Sequence, residues 1–597
     1  MNERTKTGLE ILQFAVLIGI LGNILLRQTP WGLNAFLFVA IFAAGMIILT
    51  FRRRPEFFTA RTLALQGAMI FFASMFLIRD SIELRVYDTF AILIIMGVLV
   101  LPNFGVNQRI AGALHYAAGF IWAGLTSLLA PFVLLGADID WKAMPGNRLS
   151  RNVFSVLRGL AIALPLVLIF GALFMAADAA FEDLANRAIN FEIDTVISHV
   201  MLTAFLAWLT AGYFRGTLVD PFKVVVPAEP AASPVPTKEK KGEDKTKAEE
   251  KASDSSYVNK FAAEPAEDTS LPNNATVLEH INQSDPPDGP SAPAEKQTPP
   301  GEEPKKRDWQ NWDNTKFPQV FTLGTVETVI ILGLVDLLFL SFVIVQVPYL
   351  FGGMDLVQNT PDFKLAEYAR RGFGELVAVA ALVLPMLLAS HWLLRRDNVR
   401  NERIFKVLAG VQIGLLFVIM ASAMQRLVLL TGDLGYGWTT VRFYPMIFMI
   451  WLAVVFVWFG WTVLRERRNN FAWGALWSAI VLLAVTNIMN PDDFIARTNI
   501  KLMQQGREYD AHYNADLSDD AMPVLLESLP AMNEEDRCQT ISRLYGRLVQ
   551  SRNEGDIRSW NSSRERSYGL LESNSGLLLN GPGCIDYKPS LPRVDID

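Results

Sequence analysis

Cysteine is nearly absent. The 597 residues contain two, Cys538 and Cys584, both in the polar C-terminal stretch and neither in an apolar run. A disulfide-stapled secreted fold is excluded, and at most one bridge can form. Charge is scarce as well, at 19% against about 25% in soluble domains. Positive charge is not in excess, since 54 Lys and Arg stand against 60 Asp and Glu, so no nucleic-acid partner is expected. The five histidines, His115, His199, His280, His391 and His512, are scattered. No pair is spaced to place two ligands on one helix face, so no metal and no cofactor is expected. His199 and His391, within apolar runs, are expected to hydrogen-bond between helices. The chain also lacks a Walker-type loop, G-x-S-x-G and G-x-G-x-x-G, which removes nucleotide-driven transport and the common hydrolase designs.

What the chain has is apolar length: 51% of residues are hydrophobic, with 38 Phe and 14 Trp. A spanning helix needs about 20 mostly apolar residues. Twelve stretches qualify, at 9–26, 32–51, 62–78, 86–101, 113–136, 156–175, 195–214, 325–347, 373–394, 407–430, 443–464 and 471–489. The first resembles a secretory signal but has no small-residue cleavage site and ends at Arg27, so a retained membrane helix is expected. Pro131, Pro165 and Pro385 lie inside runs and predict kinks.

The expected organisation is membrane helices over 1–225, a linker over 226–308, membrane helices over 309–489 and a helical tail over 490–597. The linker is rich in Pro, Glu, Lys, Ala and Ser and has too little apolar surface to offset the entropy of ordering. In the tail, Ser518, Asn533 and Asp556 precede helical sequences and read as helix starts. Cys538, Ile541, Tyr545 and Leu548 recur at helical spacing, as on the buried face of a small packed domain.

Lys and Arg concentrate in cytoplasmic loops. The basic segments 395–406 and 465–468 therefore read as inside, which puts the C-terminal tail outside and the linker in the cytoplasm. Arg52, Arg53, Arg54 and Arg61 also ask to be inside, as does the loop with Lys142, Arg148 and Arg151, yet three candidate spans separate the two groups. Three crossings cannot join loops on one side. The segment 113–136, with His115, Tyr116, Pro131 and several glycines, is the one expected not to cross. The fold expected is thus an all-α polytopic transmembrane bundle of eleven spans plus one re-entrant or interfacial helix, with a small extracytoplasmic helical C-terminal domain. Twelve spans with one rule-breaking loop is the alternative.

Four blocks carry a family likeness: Tyr349 to Gly353, Glu367 to Glu375, Tyr436 to Tyr444 and Asn490 to Asn499. By them the chain resembles bacterial multi-pass membrane proteins catalogued only as a domain of unknown function. Relatives commonly have Leu at Trp438. The resemblance implies a multi-pass architecture and a bacterial inner-membrane setting, and it supplies no catalytic residue.

Charge inside spans is expensive and faces protein or water. Asp336 sits mid-run, with Glu327 half a helical circumference away, so these two do not pair. Asp336 reads either as a helix-packing hydrogen-bond partner or as a proton- or cation-binding carboxylate. Glu367, Arg371 and Glu375 form an i, i+4, i+8 stripe flanked by Arg370. At the expected depths Glu375 can meet Arg426, with Asp433, Tyr436, Arg442 and Asn487 approaching the same surface. That group reads as an ion-pair clamp or an outward-facing polar pocket. Cys538 and Cys584 are expected to pair if the tail is outside.

Three function classes follow. A sensor or envelope scaffold would bind protein partners through the tail or linker and have a dry core. A transporter or ion-coupled permease would use Asp336 or the Glu375 and Arg426 region. A membrane enzyme would need a nucleophile, base or metal set that does not assemble. In each class the lipid bilayer is the expected surrounding partner.

Overall fold

A computed structural model describes residues 3–27, 30–141, 193–220, 322–351, 373–395, 399–433, 437–465, 470–551, 556–579 and 584. The linker 226–308 and the candidate span 156–175 lie outside the described residues, as do Lys142, Arg148 and Arg151. The described secondary structure is helical, and Leu323 with Leu394 forms an isolated β-bridge. The described residues all fall within one compact unit.

The first helices run α1 Glu3–Leu26, α2 Leu33–Arg53, α3 Ala60–Ile78, α4 Ile82–Leu99, α5 Ala113–Val133 and α6 Ile193–Leu218. The second group is α7 Thr325–Phe351, α8 Phe373–Leu393, α9 Val399–Val428, α10 Thr440–Thr462 and α11 Phe471–Met489. Each of the eleven contains a segment long and apolar enough to cross a membrane. Their faces divide between buried residues such as Met69, Phe72 and Phe459 and exposed apolar ones such as Leu337, Leu338 and Val457. Apolar residues all round are what a helix in lipid requires. An all-α polytopic bundle is the fold observed.

Two ends are distinct. Residues 31–33 and the turn at 79–81 meet the C-terminal segment, and Arg79 donates to the α11 terminus. Arg52, Arg53, Arg54 and Arg61 lie at the opposite end, as do Arg395, Arg400, Arg403, Lys406 and Arg465 by the alternation of the helices. These described basic residues therefore share one end.

The segment 113–136 is one unbroken helix, α5, continuing as a wider π-turn over Leu134–Asp138. Its start follows Asn107, which accepts from Arg61 at the basic end. Its far end, Asp138, pairs with Arg4 at the start of α1 and Arg215 near the end of α6. Both termini therefore lie at the basic end, and a continuous helix with that property lies across the bundle instead of crossing it. Its length and composition alone would qualify it as a span. Close approach makes this possible, because a Cβ on Gly212 would collide with the carbonyl oxygens of Thr126 and Ser127.

The tail contains α12 Pro491–Gln504, α13 Ala511–Ala515, α14 Met522–Ser528, α15 Glu534–Ser551, α16 Ser562–Ser573 and α17 Ser575–Leu579. Asn533 caps α15 by accepting from the Asp536 amide at 2.8 Å. Asp556 starts only a 3-10 turn, Ile557–Ser559. The helix expected there begins later, at Asn561, whose side-chain carbonyl accepts from the amides of Ser563 and Arg564. The reason is tertiary: the Asn561 side-chain amide donates to the carbonyls of Phe76 and Arg79 at the end of α3, fixing the chain there. Buried Met522, Leu529, Ile541, Leu544 and Leu571 form the tail's core. Cys538 and Cys584 are bonded, with Cα atoms 5.4 Å apart.

Candidate functional site

The densest polar constellation lies where the tail sits on the membrane helices. Asp520, in a short turn after α13, is 5% exposed. Its Oδ2 accepts from the amides of Asp80 and Ser81 at 2.7 and 3.2 Å, capping the start of α4. Its Oδ1 accepts from Ser563 Oγ at 2.9 Å and faces Arg79 Nη1 at 3.5 Å. A single carboxylate thus ties the α3–α4 turn to α16. Arg79 in turn donates to the carbonyls of Asn487 and Ile488, satisfying the free C-terminal carbonyls of α11.

Around this centre the carboxylates are buried, as at Asp492, or half-buried, as at Asp80 and Asp519. Burial pushes Asp80 up to about 6, with the Asp519 charge adding to the rise and Arg85 and Arg564 opposing it. Asp492 on α12 also reaches about 6 through burial, against the lowering effect of its Ser518 hydrogen bond. Burial raises Asp519 too, although Arg547 lies 3.4 Å away and Ser567 donates to it at 3.0 Å. Desolvation wins over pairing at all three positions. On the other flank, Asn499 of α12 bridges the Trp438 carbonyl and Asn514, while Tyr513 accepts from the Thr440 amide. The tail therefore grips both groups of membrane helices.

A second buried charge group closes the basic end. Asp138 has a fully buried side chain, with Arg4 Nε at 2.7 Å and Arg215 Nε at 2.5 Å, and its carbonyl accepts from Thr5. Between the ends, Asp88 of α4 accepts from Asn487 of α11 at 2.8 Å, both nearly inaccessible. A cavity of about 510 Å³ opens between α4, α10 and α11, walled by Phe90, Ile94, Phe448, Trp451, Leu476 and Leu483. Its walls are apolar, so it offers no aqueous path. Among the described residues no group of His, Cys, Asp or Glu could hold a metal ion.

Residues 66–239 and 294–528 match the family described as Domain of unknown function (DUF4153), more than half of the chain. The chain belongs to that family. No curated protein and no solved structure matches it. DUF4153 membership agrees with the resemblance carried by the four sequence blocks, all of which fall inside the match.

Of the residues singled out from the sequence of this DUF4153 protein, Glu367, Arg370, Arg371 and Tyr436 lie outside the described residues. Glu375 is exposed and Arg426 is 9% exposed. Arg442 donates to the Gly437 carbonyl at 2.6 Å, holding the turn into α10. Asp336 is 7% exposed and neither of its oxygens has a hydrogen-bond partner. His199 hydrogen-bonds Asn23 between α6 and α1, and His391 packs its ring against Phe405. Sequence reasoning misses Asp80, Asp492 and Asp520, since isolated acids in polar stretches give no signal. Asp88 carries one: it is an ionisable residue within an apolar run.

Proposed function

We propose that this protein is an envelope sensor or scaffold of the bacterial inner membrane, with its C-terminal helical domain outside. The observation that carries the reading is the seating of the tail through Asp520, Arg79 and Asn561 on α3, α4 and α11, together with Tyr513 and Asn499 on the entry to α10. A protein that binds such a tail acts mechanically on helices from both groups. The basic loops at the opposite end and the Cys538–Cys584 bond support an outside, oxidising location for the tail. Exposed Ile557 and Val549 and the linker give surfaces for protein partners.

Photo-crosslinkers at Ile557 and Val549 in intact cells test the reading, and discrete protein adducts are expected. Absence of adducts from both positions, with labelling of the reduced cysteines only from the cytoplasmic side, would overturn it. A second reading, an ion-coupled permease, is favoured by the unpartnered carboxylate of Asp336.

A further inference from the structure

We propose that Asp336 and Gln412 form a membrane-buried site for one monovalent cation, a proton or a sodium ion. This deepens the permease reading by naming the ion class and rests on it only for movement of the ion, since occupancy can be measured without flux.

The argument begins with register. Helices α7 and α9 leave the basic end together, and Thr325 at the start of α7 donates to Asn401 near the start of α9. Eleven residues along a helix complete three turns within about 20° and rise about 16 Å. Asp336 stands eleven residues after Thr325, and Gln412 eleven after Asn401. Both side chains therefore lie on the faces that the Thr325–Asn401 contact turns toward each other, at one depth. That depth is the middle of the apolar segment Thr325–Val345.

Burial makes the pair chemically expensive. Gln412 is 0% exposed and Asp336 is 7% exposed. Asp336 Oδ1 and Oδ2 and Gln412 Oε1 and Nε2 are all buried without a hydrogen-bond partner. An unmet polar group in hydrocarbon costs several kcal/mol, and an unmet charge costs more. The seam above and below is apolar and tight, with Leu332, Phe339, Ala409 and Leu416 all buried. No other described ionisable group stands nearby along these helices. Glu327 is nine residues before Asp336 and exposed, Lys406 is six before Gln412 with Arg400, Glu402 and Arg403 further back, and Arg426 is fourteen after it. On α8, which also packs against α9, Glu375 and His391 lie at the helix ends.

One carboxylate among apolar walls is neutralised by one positive charge, which selects a monovalent ion over a divalent one. Hard oxygen donors, the Asp336 carboxylate and the Gln412 carbonyl, suit a proton or sodium and not a soft metal.

The test is carbodiimide labelling of the full-length protein in detergent micelles, read by peptide mass spectrometry, because the apolar reagent modifies protonated carboxyls. Asp336 is expected to label, and the yield to fall as pH rises. If sodium at constant ionic strength, balanced with choline, protects Asp336, sodium is the occupant. If sodium has no effect while pH does, the proton is. Gln412→Leu should weaken either response about tenfold, the loss of one contact to a charged group. Asp336 unlabelled at every pH, labelling indifferent to both pH and sodium, or a Gln412→Leu response equal to wild type would each overturn the site. Ion flux absent from proteoliposomes whose Asp336 shows the expected labelling would reject the permease reading alone.

Discussion

Asp80 and Asp492 show how a single side chain can be made to work against its own charge. Each is raised to about 6, chiefly by burial at the junction between the tail and the membrane helices. A carboxyl whose pKa is higher folded than unfolded stabilises the fold fully below its unfolded value of about 4, and loses that contribution as pH rises through the folded value. Docking of the tail should therefore strengthen on acidification from pH 8, with the change beginning near 6 and continuing toward 4. Arg79, Arg85, Arg547 and Arg564 remain charged throughout this window. Melting followed by tryptophan fluorescence in detergent checks this: the midpoint should rise by several degrees at pH 5, and Asp80→Asn should flatten the profile. A midpoint that falls on acidification would show that pairing with the arginines dominates. None of this is legible from residue type, because Asp80 is buried by a segment far away along the chain.

Among the helices, the placement of α5 is decided by small residues. Gly97 and Gly119 meet between α4 and α5, and Gly212 and Gly216 meet Thr126 and Ser127 between α6 and α5. A Cβ at Gly212 collides with backbone oxygen, which cannot rotate away. Gly212→Ala should therefore cost about 1 to 3 kcal/mol by forcing the helices apart. At Gly124 on the same α5, an added Cβ would meet nothing within 4 Å, so Gly124→Ala should be neutral or slightly stabilising through helix propensity. Thermal melts of the two variants in one detergent separate the cases, and equal destabilisation would refute the close approach as the cause. Charge parity and glycine content single out this segment in the sequence. Its resting place needs Asp138, which sits just beyond the apolar run and clips it to Arg4 and Arg215.

Within the molecule as assembled, the tail is a small helical body with a modest core. The bond between Cys538 on α15 and Cys584 closes a separation of 46 residues and encloses α16 and α17. Constraint of the unfolded chain gives such a bond about 2 to 4 kcal/mol. Cys538→Ser with Cys584→Ser should lower the unfolding midpoint of the tail and leave the membrane helices folded. Limited proteolysis checks it, with cleavage expected first within 534–579 in the double variant. Unchanged tail resistance would mean that Met522, Ile541, Leu544 and Leu571 suffice.

Residue order is enough to establish that the chain is helical and multi-pass, because lipid admits only segments that satisfy their own backbone and remain apolar for about 20 residues. It also establishes which two cysteines are available to pair. Packing between distant segments is what starts α16 at Asn561 and not after Asp556, because the start is set by carbonyls of α3. The same packing makes Asp520 the centre of the tail's seat. The physical reason is common to both. Hydrophobic periodicity fixes where a helix lies along the chain and how deep each residue sits, whereas hydrogen bonds between distant segments depend on rotation and contact, which no local pattern encodes.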